Sequence, residues 1–228
     1  MADFVLVPSA GGVAWYWHRV VPLVEEAGHE AIAVDLPGDN EKAGLSAYAD
    51  RVLAAIGSRQ VVLVVQSLGG FTAALVCARV RVRMLVFVNA MIPVPGETAG
   101  EWWDNTQSIA ARMAAAHEGG YSTDFDLATY FLHDVPPDII EQGEARERPE
   151  AEIVFGEPCR FEAWSEVPTH VIAGRDDRFF PIDFQRRVAR ERLQAEIDEL
   201  ASGHLLALSN PHDLADQLLG YLRIGTRT

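Results

Sequence analysis

Cysteine is scarce in this chain. Its two residues, Cys77 and Cys159, fit no metal-ligand spacing and build no disulfide framework. Cys77 sits in an apolar helical run and reads as an inert core thiol. Positive charge is also in the minority: 19 Lys and Arg face 33 Asp and Glu, a formal net charge of −14. Such a field repels phosphate backbones and anionic lipid, so neither nucleic acid nor a membrane surface is an expected partner. Its plainest reading is solubility. No uninterrupted apolar run reaches the roughly 18–20 residues that a bilayer span requires. No basic segment precedes an apolar stretch at the N-terminus, because an apolar run begins at Phe4. A cytoplasmic location is the expectation. Internal repeats and low-complexity linkers are absent too. The 228 residues suffice for one sizeable core, so a single domain over residues 1–228 is expected.

What is present is an alternation of short β-branched runs with helical patterns. Phe4–Val7, Ala31–Val34, Val61–Val65, Met84–Val88 and Thr169–Ala173 are apolar at nearly every position. Strands buried on both faces of a parallel sheet have that character. Helical patterns fall between and after them, over Trp15–Ala27, Ser46–Ile56, Leu68–Arg79, Pro181–Arg192 and Pro211–Leu222. The fold class expected is α/β, with a mostly parallel sheet of about six strands and helices on both faces. One region interrupts the alternation. Residues 91–164 hold no clear strand, and they carry Trp102, Trp103, Phe125, Tyr130, Phe131 and Phe155 among acidic and helical stretches. Leaving the sheet at its C-terminal edge, this insertion is expected to form a helical cap over the ligand site. Its later part, Asp138–Glu152, is dense in Glu and Arg and reads as a solvated helix or loop.

The chemistry concentrates at Val65-Gln66-Ser67-Leu68-Gly69-Gly70. A buried strand runs into a serine followed by small residues and then directly into a helix. A serine there sits on a tight turn with its hydroxyl thrust above the sheet. The alternative reading is an ordinary helix-capping serine at a βα turn, and the turn alone favours the nucleophile over it. Val65 stands where a full G-x-S-x-G motif has its first glycine. A serine nucleophile needs a base, and the base an orienting acid. Downstream, Gly174-Arg175-Asp176-Asp177 is an acidic turn directly after a strand, and Gly203-His204 lies in a loop before the last helix. The candidate catalytic residues are therefore Ser67, Asp177 and His204, with Asp177 preferred to Asp176 by its distance from Gly174. Asn89 ends an earlier strand with an amide and so offers no competing acid. Oxyanion stabilisation is expected from the Leu68 N–H and from the loop Pro8-Ser9-Ala10-Gly11-Gly12. No G-x-G-x-x-G or G-x-x-x-x-G-K accompanies those glycines, so no nucleotide is indicated.

Val5-Leu6-Val7-Pro8-Ser9-Ala10, Trp15-Tyr16-Trp17, Val21-Pro22-Leu23, Ala27-Gly28-His29 and Asp35-Leu36-Pro37-Gly38 together resemble one branch of the α/β-hydrolase superfamily. That branch holds plant methyl esterases, hydroxynitrile lyases and many bacterial esterases. The Gln66–Gly70 turn, Gly174–Pro181 and Gly203-His204 carry the resemblance further. It implies the α/β-hydrolase fold, Ser67 as nucleophile, His204 as base, Asp177 as orienter, and Ala10 and Leu68 as amide donors. Ser9, Gly11, Gln66, Trp102, Trp103 and Phe131 are the candidate substrate contacts. Two departures stand out. Pro8-Ser9 replaces the usual His-Gly, and Leu205 stands where the lyases carry a lysine after the catalytic histidine. The activity implied is carboxylester hydrolysis of a small apolar ester, without metal or cofactor, by a monomer or homodimer. The alternatives are a carbonyl lyase, such as a hydroxynitrile lyase, and a small-molecule binding protein with little turnover.

Overall fold

A computed structural model describes residues 1–164 and 166–224. Six strands form one parallel sheet: β1 (Asp3–Val7), β2 (Glu30–Ala33), β3 (Val61–Gln66), β4 (Met84–Val88), β5 (Thr169–Gly174) and β6 (Asp198–Leu200). Their spatial order is β2-β1-β3-β4-β5-β6. Every adjacent pair runs parallel, and β1 pairs with β3 from Asp3 opposite Val61 to Val7 opposite Val65.

Alternation along each strand feeds two cores. Val5, Val7, Leu63, Val65 and Phe87 face α2 (Leu45–Ile56), α3 (Gly69–Cys77) and α9 (Ile182–Leu193), meeting Tyr48, Val52, Phe71 and Val188. Phe4, Leu6, Val62, Val64 and Val86 face the other way. They meet Trp17, Val24 of α1 (Val21–Glu26), Leu206 of α10 (Leu206–Ser209), and Leu214 and Leu218 of α11 (Pro211–Ile224). With helices on both faces, β3 is buried at all six positions, as its run of valines predicts. Each fully buried Val contributes about 1.5–3 kcal/mol relative to exposure.

Two expectations need correction, and one strand of the expected six was not located in the sequence. Trp15–Ala27 is not one helix: a 3-10 turn at Ala14–Trp17 precedes α1, and Pro22 lies in the first turn of α1. Proline has no N–H to donate, and its ring clashes with the carbonyl four residues back, so the helix restarts there. The sixth strand, β6, is a three-residue edge strand reading Asp-Glu-Leu, too short and polar to stand out in the sequence. The stretch after α7 (Pro137–Glu144) is not merely solvated, because Arg148 and Glu150 bind the backbone after β1. Between β4 and β5 the chain forms α4 (Ala99–Thr106), α5 (Ser108–Gly119), α6 (Leu127–Tyr130), α7 and α8 (Ile153–Gly156). The strand order turns back between β1 and β3, and that is where an open parallel sheet leaves a crevice at its C-terminal edge.

Candidate active site

Three turns converge on this crevice. Ser67 links β3 to α3 with φ of +50°, a left-handed conformation uncommon for a residue other than glycine. Its backbone is held on both sides: the Ser67 carbonyl accepts from Gly70 N at 3.1 Å and Met91 N at 2.9 Å. His204 is fully buried, and its Nε2 lies 3.2 Å from Ser67 Oγ while Nδ1 lies 2.8 Å from Asp177 Oδ2. With the Nδ1 proton directed at Asp177, Nε2 is left as an acceptor for the serine hydroxyl. Asp177 is itself held by the turn after β5. Its Oδ1 accepts the N–H groups of Phe179 and Phe180 at 2.8 and 2.9 Å, and Gln185 Nε2 donates to Oδ2 at 3.3 Å. Edge-on rings of Phe131, Phe179 and Phe180 enclose the imidazole.

Ser67 opens on a cavity of about 390 Å³ lined by Ser9, Ala10, Leu68, Trp103, Phe131 and Phe179, among others. It continues into a wider groove between Trp15 and the insertion residues Val135, Ile139 and Glu147. The walls are mostly apolar. Among the described residues, the N–H groups of Ala10 and Leu68 donate to no other group of the protein, so both remain free for an incoming oxygen. Among the described residues, no cluster of three His, Cys, Asp or Glu side chains forms that could hold a metal ion. A serine, an imidazole and a carboxylate in this order can deprotonate the serine as it attacks an electrophilic carbon.

The family model described as "Alpha/beta hydrolase family" matches residues 4–217. The chain belongs to this family. It is 25% identical to an alpha-hydroxynitrile lyase of Arabidopsis thaliana, over 94% of this chain and 95% of that protein. It is 26% identical to Methylesterase 2 of the same plant, over 95% and 94% respectively. The solved structure of polyneuridine aldehyde esterase superposes with a TM-score of 0.81 at 21% identity, covering 97% of this chain and 99% of that one.

In this alpha/beta hydrolase family member, the sequence candidates divide into two groups. Ser9, Ala10, Leu68, Trp103 and Phe131 line the cavity around Ser67. Trp102 lies instead in the core: it is fully buried, its indole N–H donates to the Ile92 carbonyl, and Phe180 and Phe184 cover its ring. Gln66 is fully buried as well, its amide donating to the His204 carbonyl at 3.4 Å. Gly11 lies beside the cavity, and its N–H is taken by Glu150. Several site residues escaped the sequence reading. Tyr16 lines the cavity, accepts the Ala207 N–H, and has its pKa raised by burial. Asp134 accepts the Gly203 N–H beside His204. Asn89 joins the turns that bear Asp177 and His204, accepting from Gly174 N at 2.7 Å and donating to the Gly203 and His204 carbonyls. Only Asn89 left a trace in the sequence, as the polar end of an otherwise apolar strand.

Proposed function

We propose that this protein is a serine hydrolase, a carboxylesterase that cleaves a small apolar ester through Ser67, His204 and Asp177. The observation that carries this reading is the hydrogen-bonded chain from Asp177 through His204 to Ser67, opening on an apolar cavity of about 390 Å³. Relatives named as methylesterases support an ester substrate. His204 Nε2 takes the hydroxyl proton as Ser67 Oγ bonds to the ester carbonyl carbon. The carbonyl electrons move to oxygen, which the Ala10 and Leu68 N–H groups hold. Each such donor supplies about 3–4 kcal/mol of transition-state stabilisation. Collapse of the adduct expels the alcohol, protonated by His204, and leaves an acyl-serine. Water deprotonated by His204 then attacks the acyl carbon, and the bond to Ser67 Oγ breaks as His204 returns its proton to the serine, releasing the acid. The helices of the insertion act as a cap that shapes the apolar walls. Leu205 presents an aliphatic chain to the cavity and no cation for a departing cyanide, which weighs for hydrolysis over cyanohydrin cleavage.

The test is hydrolysis of p-nitrophenyl acetate and butyrate by the wild type and by Ser67→Ala. Loss of the serine is expected to lower kcat by about 10³-fold or more. Equal rates from the two proteins would remove Ser67 from the chemistry.

A further inference from the structure

We infer that Glu150 is a positioning residue for the oxyanion loop, holding the Gly11 peptide and through it the Ala10 N–H in the orientation that acyl transfer needs. The inference rests on the acyl-transfer reading above and extends it to a residue of the insertion.

Gly11 is gripped at both of its backbone polar groups. Its N–H donates to Glu150 Oε2 at 2.6 Å, and its carbonyl accepts from Arg148 Nε at 2.6 Å. The grips are themselves anchored. The Tyr48 hydroxyl on α2 donates to the second carboxylate oxygen of Glu150. The Arg148 guanidinium meets Asp35 at 3.1–3.2 Å, and Asp35 accepts the Ala14 N–H at the far end of the same loop. Ala151 N donates to the Gly38 carbonyl at 2.7 Å, closing the segment onto the turn after β2.

The loop needs this support because of its composition. Gly11 and Gly12 both adopt positive φ, +79° and +68°, and neither has a side chain to hold its peptide in place. Two consecutive glycines leave the backbone free to rotate in the absence of outside contacts. Upstream, β1 is held by its pairing with β3 as far as Val7. Ala10 lies between that fixed strand and the gripped Gly11 peptide, with a single turn bond, Gly12 N to Ser9 O at 3.0 Å, as local support. The Ala10 N–H shares a planar peptide unit with the Ser9 carbonyl, which accepts the Gly12 N–H, so holding Gly11 steadies this turn and with it the direction of the Ala10 N–H. A half-buried carboxylate is an expensive way to satisfy one backbone amide. Burial pushes the Glu150 pKa up, the mark of a charged form that the fold disfavours. Local costs of this kind are retained where they serve a site. The neighbouring residues Glu147, Arg148 and Pro149 line the groove beyond the nucleophile, so substrate contact and loop orientation share one segment.

An oxyanion donor acts on the transition state and not on the bound ester, so the expected signature is a fall in kcat at constant KM. The experiment compares Glu150→Ala, Glu150→Gln and Ser67→Ala with the wild type on p-nitrophenyl butyrate. Inhibition by a trifluoromethyl ketone, which forms a tetrahedral oxyanion on the serine, and a thermal melt of each variant complete the set. Glu150→Ala is expected to lower kcat by about 10- to 100-fold, the scale of a roughly 1 Å misplacement, and to weaken the ketone by a similar factor. Its KM should stay within about twofold of the wild type. Glu150→Gln, whose amide oxygen can still accept the Gly11 N–H, should return to within about fivefold of wild-type kcat. If Glu150→Ala does not fold, Tyr48→Phe releases the second carboxylate oxygen and should lower kcat by a few-fold without raising KM.

Wild-type kcat in the Glu150 variants overturns the inference while leaving the proposed function standing. A rise in KM, or losses in both variants that track a lowered melting point, assigns Glu150 a purely structural role and overturns it as well. Wild-type turnover that survives in Ser67→Ala defeats the proposed function and this inference together.

Discussion

At the residue scale, two strand ends carry conformations that the chain alone does not favour. Ser67 and Asn89 have φ of +50° and +44°, each costing about 1–2 kcal/mol for a residue with a Cβ. Both are held by buried hydrogen bonds. Asn89 is tied to Gly174 N, the Gln185 amide and the carbonyls of Gly203 and His204. One side chain thereby sets the separation between the turns that bear Asp177 and His204. Three histidines outside the site bear on stability. His170 stacks on the Tyr221 ring at a centroid distance of 3.7 Å, and burial lowers its pKa from the ordinary 6.5, opposed by the Asp198 charge. The folded protein thus binds this proton less readily than the unfolded chain. Its contribution is intact above pH 6.5 and is lost as pH falls through 6.5 toward the lower folded value. Urea midpoints at pH 7.5 and about 5.5 should show the wild type losing stability on acidification and His170→Gln losing less. His18 and His29, also lowered by burial, account for a remaining slope. Identical slopes in the two proteins would clear His170 of the effect.

At the scale of elements, the β3–turn–α3 unit determines where Ser67 stands, and its glycines are there for space. A Cβ on Gly70 would collide with the Met91 carbonyl, and one on Gly69 would meet the Pro8 carbonyl at 2.9 Å. Helix α3 can approach the exits of β1 and β4 only without those side chains. Gly70→Ala should therefore destabilise the fold by about 1–3 kcal/mol or more and, on the proposed function, slow p-nitrophenyl butyrate hydrolysis by displacing Ser67. Gly156 in α8 has open space where its Cβ would be, so Gly156→Ala should be neutral or stabilising by up to about 1 kcal/mol. Urea unfolding of the two variants side by side decides the matter, and equal stability would refute the steric account. The valine run and the Ser-Leu-Gly-Gly turn made this unit legible in sequence. The three-residue β6 lacked any comparable apolar signal.

At the scale of the whole molecule, the insertion must be fastened to the sheet layers for its walls to have a fixed shape. One fastening is a buried ion pair. Arg192 on α9 meets Glu97 at 2.5 and 2.9 Å, with side-chain exposures of 9% and 1%. Glu97 also accepts from Val94 N and Asn105 Nδ2, and Arg192 donates to the Ile92 carbonyl. Removing one partner strands the other in the interior. Arg192→Met should cost about 3–5 kcal/mol in chemical unfolding, and adding Glu97→Met should restore part of that loss. A single-variant loss below about 1 kcal/mol would show that the pair behaves as an exposed one.

The sequence by itself determined the α/β class, the order of the serine, the acid and the histidine, and the turns that bear them. These features are local: apolar runs, strand-end residues and small residues at turns act within a few positions of one another. Tertiary structure alone decided which of two adjacent tryptophans faces the cavity, with Trp103 at its wall and Trp102 in the core. It alone brought Glu150 to Gly11 across 139 positions of chain. Neither choice has a local cause. Each depends on which surfaces meet once the helices pack on the sheet, and side-chain periodicity carries no information about a partner that far away.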